Sequence, residues 1–151
     1  MNKLIINLKS LNIEPIILAK FFYERGIVSH LFVQKLIYFS YLEGLKNELL
    51  IFQEKFQAWK HGPVLVSIFA KMTGCSDLDT MFDEVPNLQQ KEVITMLEKI
   101  CQKYRDCDVW DLVDKSHEGP WAKARVGLSE EDISTNELVL KDLFAFANAQ
   151  E

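Results

Sequence analysis

The stretch from Ser29 to Leu45 constrains the fold of this chain more than any other part of the sequence. Apolar residues occupy most of its positions at helical spacing, and few polar residues interrupt them: Gln34, Lys35, Ser40 and Glu43. A helix that is apolar around most of its circumference is normally buried on all sides. We therefore predict a central helix here, packed against neighbouring elements on at least two sides.

Amphipathic patterns and helix-start signals predict further helices along the rest of the chain. They cover residues 15–24, 63–74, 87–104, 109–116, a short segment from 120, and 134–146. Residues 75–86 are predicted to form an acidic loop, and weak alternation before Trp59 favours at most a short β-hairpin around residues 50–59. The predicted fold class is mainly α: a compact single-domain bundle of about six to seven helices over residues 1–151.

Two glycine–proline pairs, Gly62-Pro63 and Gly119-Pro120, each have a tryptophan nearby, Trp59 and Trp121. Glycine can adopt backbone angles that other residues resist, and proline has its φ preset for the first position of a helix. Each pair is therefore predicted to turn the chain and start a helix, with the tryptophan as an anchor. If the two corners are neighbours in space, basic residues near them surround a shared groove; otherwise these side chains belong to a solvated face.

Charge and composition limit the kinds of partner. The first 74 residues carry nine Lys/Arg against five Asp/Glu, and the remainder carries eight against seventeen. Such asymmetry can steer a charged partner, but the basic residues are scattered, which disfavours nucleic acid. Three cysteines without a Cys-x-x-Cys pair suit a reducing compartment. No apolar run approaches the ~20 residues of a membrane span, and no signal peptide is recognisable, so we expect a cytoplasmic protein without a membrane partner.

Catalytic and metal-binding motifs are missing from the sequence. There is no phosphate-binding glycine loop, no nucleophile elbow, and the three histidines have no ligand spacing. We predict no catalytic residue, no metal and no cofactor, and we interpret His117 as a structural residue that ties down its turn. The alternative is a small enzyme with His117 as general acid or base, which requires a nucleophile or carboxylate within hydrogen-bond reach.

Three motifs, taken in order, carry a family resemblance. Gln34-Lys-Leu-Ile-Tyr-Phe39, then Phe56-Gln-Ala-Trp-Lys-His-Gly-Pro-Val64, then Ser116-His-Glu-Gly-Pro-Trp121 with Arg125 resemble the Panacea antitoxin domain. This family includes SocA-like antitoxins and GepA-type phage-associated proteins. The resemblance extends from Pro15 to Phe146, with departures at Ser116 and His61, where the family more often has threonine and tyrosine.

The resemblance implies a single Panacea-type domain over residues 1–151 and a role as a bacterial or prophage antitoxin. Such a protein is not an enzyme; it neutralises a toxin encoded by an adjacent gene through direct protein–protein contact. Host protease machinery is a further expected partner, and the alternative is a phage-associated regulatory or adaptor protein that binds a host protein. The toxin's identity and the oligomeric state stay open.

Residues in and beside these motifs are expected to have two roles, the first because protein interfaces draw most of their binding energy from a few anchor residues. The residues expected to bind a partner are Tyr38, Lys60, His61, Lys123 and Arg125. The residues expected to support the family's fold are Trp59, Gly62, Pro63, His117, Pro120 and Trp121.

Overall fold

The computed structural model describes residues 4–149, and these form eight α-helices and two pairs of short strands. The helices are α1 (Pro15–Tyr23), α2 (His30–Lys46), α3 (Val66–Thr73), α4 (Leu78–Asp83), α5 (Lys91–Tyr104), α6 (Val109–Ser116), α7 (Pro120–Ala124) and α8 (Leu140–Ala149). The strands are β1 (Lys9–Ser10), β2 (Leu49–Leu50), β3 (Gln57–Trp59) and β4 (Gly62–Val64), and a 3₁₀ turn spans Ile5–Asn7. The mainly α prediction is confirmed. Residues 1–3 and 150–151 of the predicted domain lie outside the described part.

Helix α2 lies at the centre, as its composition predicted. Ser29 caps its start, because the Ser29 hydroxyl accepts a hydrogen bond from the backbone N–H of Phe32 at 3.2 Å. The helix contacts α1, α3, α5, α6 and α8 as well as β2 and β4. One hydrophobic cluster extends around it from Ile13 to Ala147.

The β-hairpin lies later in the chain than predicted. Strands β3 and β4 pair antiparallel, with Trp59 opposite Gly62 and only Lys60 and His61 between them. The prediction that Gly62-Pro63 starts a helix is therefore wrong: both residues belong to β4, and α3 begins at Val66. Gly62 has a φ of 116°, a left-handed conformation that lets the chain leave this tight turn.

Pro63 fits into the hairpin because no partner needs its missing N–H group. It lies opposite Ala58, whose own N–H donates to the Asn136 carbonyl at 2.8 Å. The Ala58 carbonyl accepts from Arg125 Nη1 at 2.9 Å. Both backbone groups of Ala58 are therefore satisfied away from β4, and proline causes no loss in the ladder.

Other elements also differ from the sequence predictions. The last helix begins at Leu140 and not near Ser134, because the residues before it bond to the start of the hairpin: the Leu138 N–H donates to the Phe56 carbonyl at 2.9 Å. Strand β1 pairs parallel with β2, with Lys9 opposite Leu49. Helix α4 replaces part of the predicted acidic loop, since the Asp77 carboxylate caps it by accepting from Thr80 N at 3.1 Å and Phe82 packs into the core. No helix within residues 4–149 has both the length and the apolar character to cross a bilayer.

Candidate functional site

The two glycine–proline corners meet in the folded chain. The indole N–H of Trp121 donates to the backbone carbonyl of Trp59 at 2.6 Å, which joins α7 to β3 across 62 positions of sequence. Gly119, with a φ of 61°, turns the chain so that Pro120 starts α7. The hypothesis that the corners are neighbours in space is confirmed, and the helix predicted at Pro120 is present.

His117 ends α6 and packs between the corners. Its imidazole stacks on the Trp121 indole, with 3.9 Å between ring centroids and 10° between planes. Its Nε2 is buried and has no hydrogen-bond partner among residues 4–149. Burial, and next the positive charge of Lys35, lower the pKa of His117 below its usual value, although Asp114 opposes this shift. The ring is therefore neutral at neutral pH.

The arrangement around His117 does not resemble a catalytic dyad. In the described part of the chain no side chain forms a hydrogen bond with the imidazole. The adjacent hydroxyl of Ser116 donates to the Val113 carbonyl at 2.8 Å, which is the normal local bond of a serine at a helix end.

Lys35 is the residue at this site that sequence reasoning did not single out. Its side chain is 0% exposed, and its Nζ finds no hydrogen-bond partner between residues 4 and 149. The amine packs against Gly62, where an added Cβ would overlap both Lys35 Nζ and Ser116 Oγ. Burial lowers the pKa of Lys35 to about 7. The only signal in the sequence was a lysine inside an otherwise apolar helix.

Tyr38 lies one turn further along α2 and is also buried, at 1% exposure. Its ring packs edge-on against Phe56, with centroids 5.2 Å apart. Its hydroxyl is without a hydrogen-bond partner in the described residues, and burial raises its pKa well above the usual value. In this conformation Tyr38 presents no surface to a partner protein.

Arg125 is likewise buried, at 5% exposure. Its guanidinium donates to three main-chain carbonyls: Ala58 at 2.9 Å, Ser129 at 3.0 Å and Asp132 at 2.8 Å. It also lies over the Trp121 ring, 5.2 Å from the centroid. Arg125 thereby fixes the loop after α7 against the hairpin, and its side chain offers no surface for partner contact.

The other three residues predicted to bind a partner are exposed. Lys60, in the hairpin turn, pairs with Glu131 at 2.8 Å. Lys123, on α7, pairs with Asp142 at 2.8 Å. His61 packs edge-on against Trp110, with ring centroids 5.1 Å apart. Trp110 was predicted only as part of the α6 face, yet it is 53% exposed.

Lys60, His61 and Trp110 border an open groove of about 640 Å³ between the hairpin turn, α6, α7 and the loop after α7, whereas Lys123 is not part of its lining. We call it the indole groove and define it by six of the residues that line it: His61, Trp110, Asp114, Trp121, Leu128 and Glu130. His117 and Arg125 also line it. Two indoles, two carboxylates and one exposed leucine make this surface suitable for recognition of another molecule.

No metal site accompanies the groove. Residues 4–149 contain no group of three or more His, Cys, Asp or Glu side chains placed to hold a metal ion. Of the three cysteines, Cys101 is buried in the core, Cys75 is half-buried and Cys107 is exposed, and all three are free thiols.

A family model matches residues 33–122, which include most of the central helix, the hairpin and both corners. The family is described as "Antitoxin SocA-like, Panacea domain". No curated protein and no solved structure matches the chain.

Proposed function

Because the chain belongs to the family of SocA-like antitoxins with a Panacea domain, we propose that it is the antitoxin of a bacterial or prophage toxin–antitoxin pair. It acts in the cytoplasm, binds the toxin encoded by an adjacent gene, and neutralises it by direct protein–protein contact. The observation that carries this proposal is the family match across the two corners.

The surface beside the corners supports a binding role. Lys60, His61 and Lys123 are exposed there, and Trp110 presents about half of its side chain to solvent. Protein interfaces draw most of their binding energy from a few residues such as tryptophan and arginine. In this proposal Lys60, His61 and Lys123 contact the toxin, while Tyr38 and Arg125 hold the surface in shape from beneath.

Exposed apolar residues after α7 also support a partner-binding surface beside the corners. Val126, Leu128, Ile133 and Val139 all follow α7 and are exposed, Ile133 to 95%. Leu128 also lines the indole groove, and exposed apolar side chains beside a groove are typical of protein-binding surfaces.

Co-expression with the neighbouring gene tests the function. We expect the neighbour's product to stop growth when induced alone and growth to recover when this chain is present. A neighbour that is harmless alone, or that stays toxic with this chain, contradicts the proposal. Measuring the neighbour's abundance during rescue distinguishes two modes: a constant level indicates blocking, whereas faster decay indicates that the chain acts as an adaptor for host protease machinery.

Charge reversal tests the proposed surface. Lys60→Glu combined with Lys123→Glu should weaken rescue, because two cations on the contact surface become anions. Lys71→Glu combined with Lys91→Glu is the matched control, because both lysines are exposed and they lie on α3 and α5 instead of in the hairpin turn and on α7. Equal rescue by the double variant and the control would place the toxin contact elsewhere on the molecule.

A further inference from the structure

The indole groove combines aromatic faces with negative charge. Trp110 is exposed at its edge, and the Trp121 indole lies deeper, beneath the His117 ring. Tryptophan offers the strongest cation-binding face among the aromatic side chains. Because His117 stacks on Trp121 and Arg125 lies over the same ring, Trp110 is the indole with an exposed face, and it favours a ligand that is flat, positively charged, or both.

The charges that line the groove favour a cation. Asp114 and Glu130 both line it, and neither forms a salt bridge within the described residues. The two cationic side chains of the lining are already engaged: Lys60 with Glu131 and Arg125 with three carbonyls. His117 adds no positive charge at neutral pH. Two carboxylates are thus left to meet a charge supplied from outside.

The geometry points to the indole groove as the receptor for an arginine side chain of the partner protein, an inference that rests on the proposed function. A guanidinium is planar, stacks on an indole, and donates several hydrogen bonds in the plane of its fork. Its face can therefore contact the Trp110 indole while its N–H groups donate to a carboxylate, and Asp114 and Glu130 line the same groove as Trp110. A lysine ammonium would satisfy the charge but not the stacking, and an acidic side chain would meet two carboxylates of its own sign.

A short peptide tests this inference without the partner. The probe is the blocked tripeptide acetyl-Gly-Arg-Gly-amide, and the matched control replaces arginine with citrulline, which has nearly the same shape but no charge. The full chain is titrated with each peptide while the three indole N–H signals are followed by NMR, and Trp110→Phe assigns the Trp110 signal. We expect a saturable shift of the Trp110 signal with the arginine peptide only. No shift, or an equal shift with citrulline, overturns the inference.

Variants identify the side chains that bind the arginine peptide. Trp110→Ala should weaken binding of the arginine peptide about threefold, as expected for an exposed cation–π contact. Asp114→Asn with Glu130→Gln should weaken it about fivefold and reduce its dependence on salt. The control pair is Glu92→Gln with Asp106→Asn, which are also exposed but do not line the groove. Equal losses in both pairs would mean that only overall charge matters and would overturn the inference.

Binding of the neighbouring gene product to the same variants distinguishes the antitoxin function from the arginine receptor. If the neighbouring gene product binds the wild-type chain but is unaffected by Trp110→Ala and by the Asp114 and Glu130 double variant, the antitoxin function stands and the arginine receptor is wrong. If the gene product does not bind at all, the proposed function fails, and the peptide titration still decides whether the groove accepts arginine.

Discussion

Lys35 places an amine inside an apolar core without a carboxylate partner in the described chain. Burial strongly disfavours a charged ammonium, so the folded state favours the neutral, deprotonated amine. The amine lies beside Ser116, the last residue of α6.

Lys35 makes the stability of the protein dependent on pH. Its pKa is about 7 in the fold and close to 10.5 in the unfolded chain, so between these values the unfolded state holds the extra proton. The free energy of unfolding should therefore rise with pH above about 7, by up to about 1.4 kcal/mol per unit. In Lys35→Met this rise should vanish, and the variant should exceed the wild type in stability near pH 6.5.

Urea denaturation at pH 6.5, 8 and 9.5 measures both slopes. Lys71→Met serves as the control, because Lys71 is exposed and should leave the wild-type slope unchanged. The same slope in Lys35→Met and in the wild type would show that the buried amine is not the titrating group.

Gly62 should tolerate substitution worse than Gly26. Both have a positive φ, 116° and 89°, but an added Cβ at Gly62 would overlap Lys35 Nζ and Ser116 Oγ, whereas at Gly26 nothing lies within 4 Å. We expect Gly62→Ala to cost about 3 kcal/mol of stability and Gly26→Ala about 1 kcal/mol. Chemical denaturation compares them, and equal costs would mean that strain alone, without the overlap, determines the effect.

At the scale of elements, the apolar pattern of the sequence predicted both the amphipathic helices and the helix that is apolar around most of its circumference. Helices α2, α5 and α6 all lie where their apolar patterns placed them. The β strands could not be predicted from the sequence pattern, because each strand has only two or three residues and β1 pairs with a strand about 40 positions away. A glycine–proline pair predicts a turn equally well before a helix or inside a hairpin, and only the pairing of Trp59 with Gly62 decides between them.

Gln34 holds α2 to the segment between β4 and α3. Its amide donates to the Leu65 carbonyl at 2.8 Å and accepts from the Leu65 N–H at 2.9 Å, as a neighbouring strand would. Gln34→Met should leave both buried groups unpaired and cost about 3 kcal/mol of stability. Hydrogen exchange at Leu65 should accelerate, while Gln102→Met, at an exposed position of α5, should change neither quantity. Slow exchange retained in Gln34→Met would contradict this role.

The site was only partly predictable from sequence. The tryptophans, His117 and the corner at Pro120 could be found as motifs, since glycine and proline mark backbone turns directly. Lys35 and the burial of Arg125 could not, because lysine and arginine are usually exposed and nothing local identifies the exceptions. The groove itself depends on contacts between residues up to 71 positions apart, such as Lys60 with Glu131.

At the scale of the whole molecule, the family match over 33–122 does not contain the whole core. Leu18 and Phe22 of α1 are completely buried, and Leu143 of α8 is nearly so. These residues cover α2, which is apolar around most of its circumference. Elements on both sides of the matched segment are therefore needed to exclude water from the central helix.

A fragment limited to residues 33–122 should not fold cooperatively. Without α1 and α8 the fragment exposes the apolar surface of α2 to water. The free energy lost with this buried area exceeds the few kcal/mol by which domains are stable. We expect the fragment to lack near-UV circular dichroism and a sharp thermal transition, both of which the full chain should have. A sharp transition in the fragment would mean that the matched segment is self-sufficient.

The hydrogen bonds of Arg125 allow the side chains of the loop after α7 to vary. Because its guanidinium binds main-chain oxygens only, at Ala58, Ser129 and Asp132, it places no demand on the side chains of that loop. Val126, Leu128 and Ile133 point outward and can be exchanged without altering the frame that holds them. A library randomised at these three positions would display new chemistry on one fixed backbone, which makes the loop a starting point for redirecting the protein to other targets.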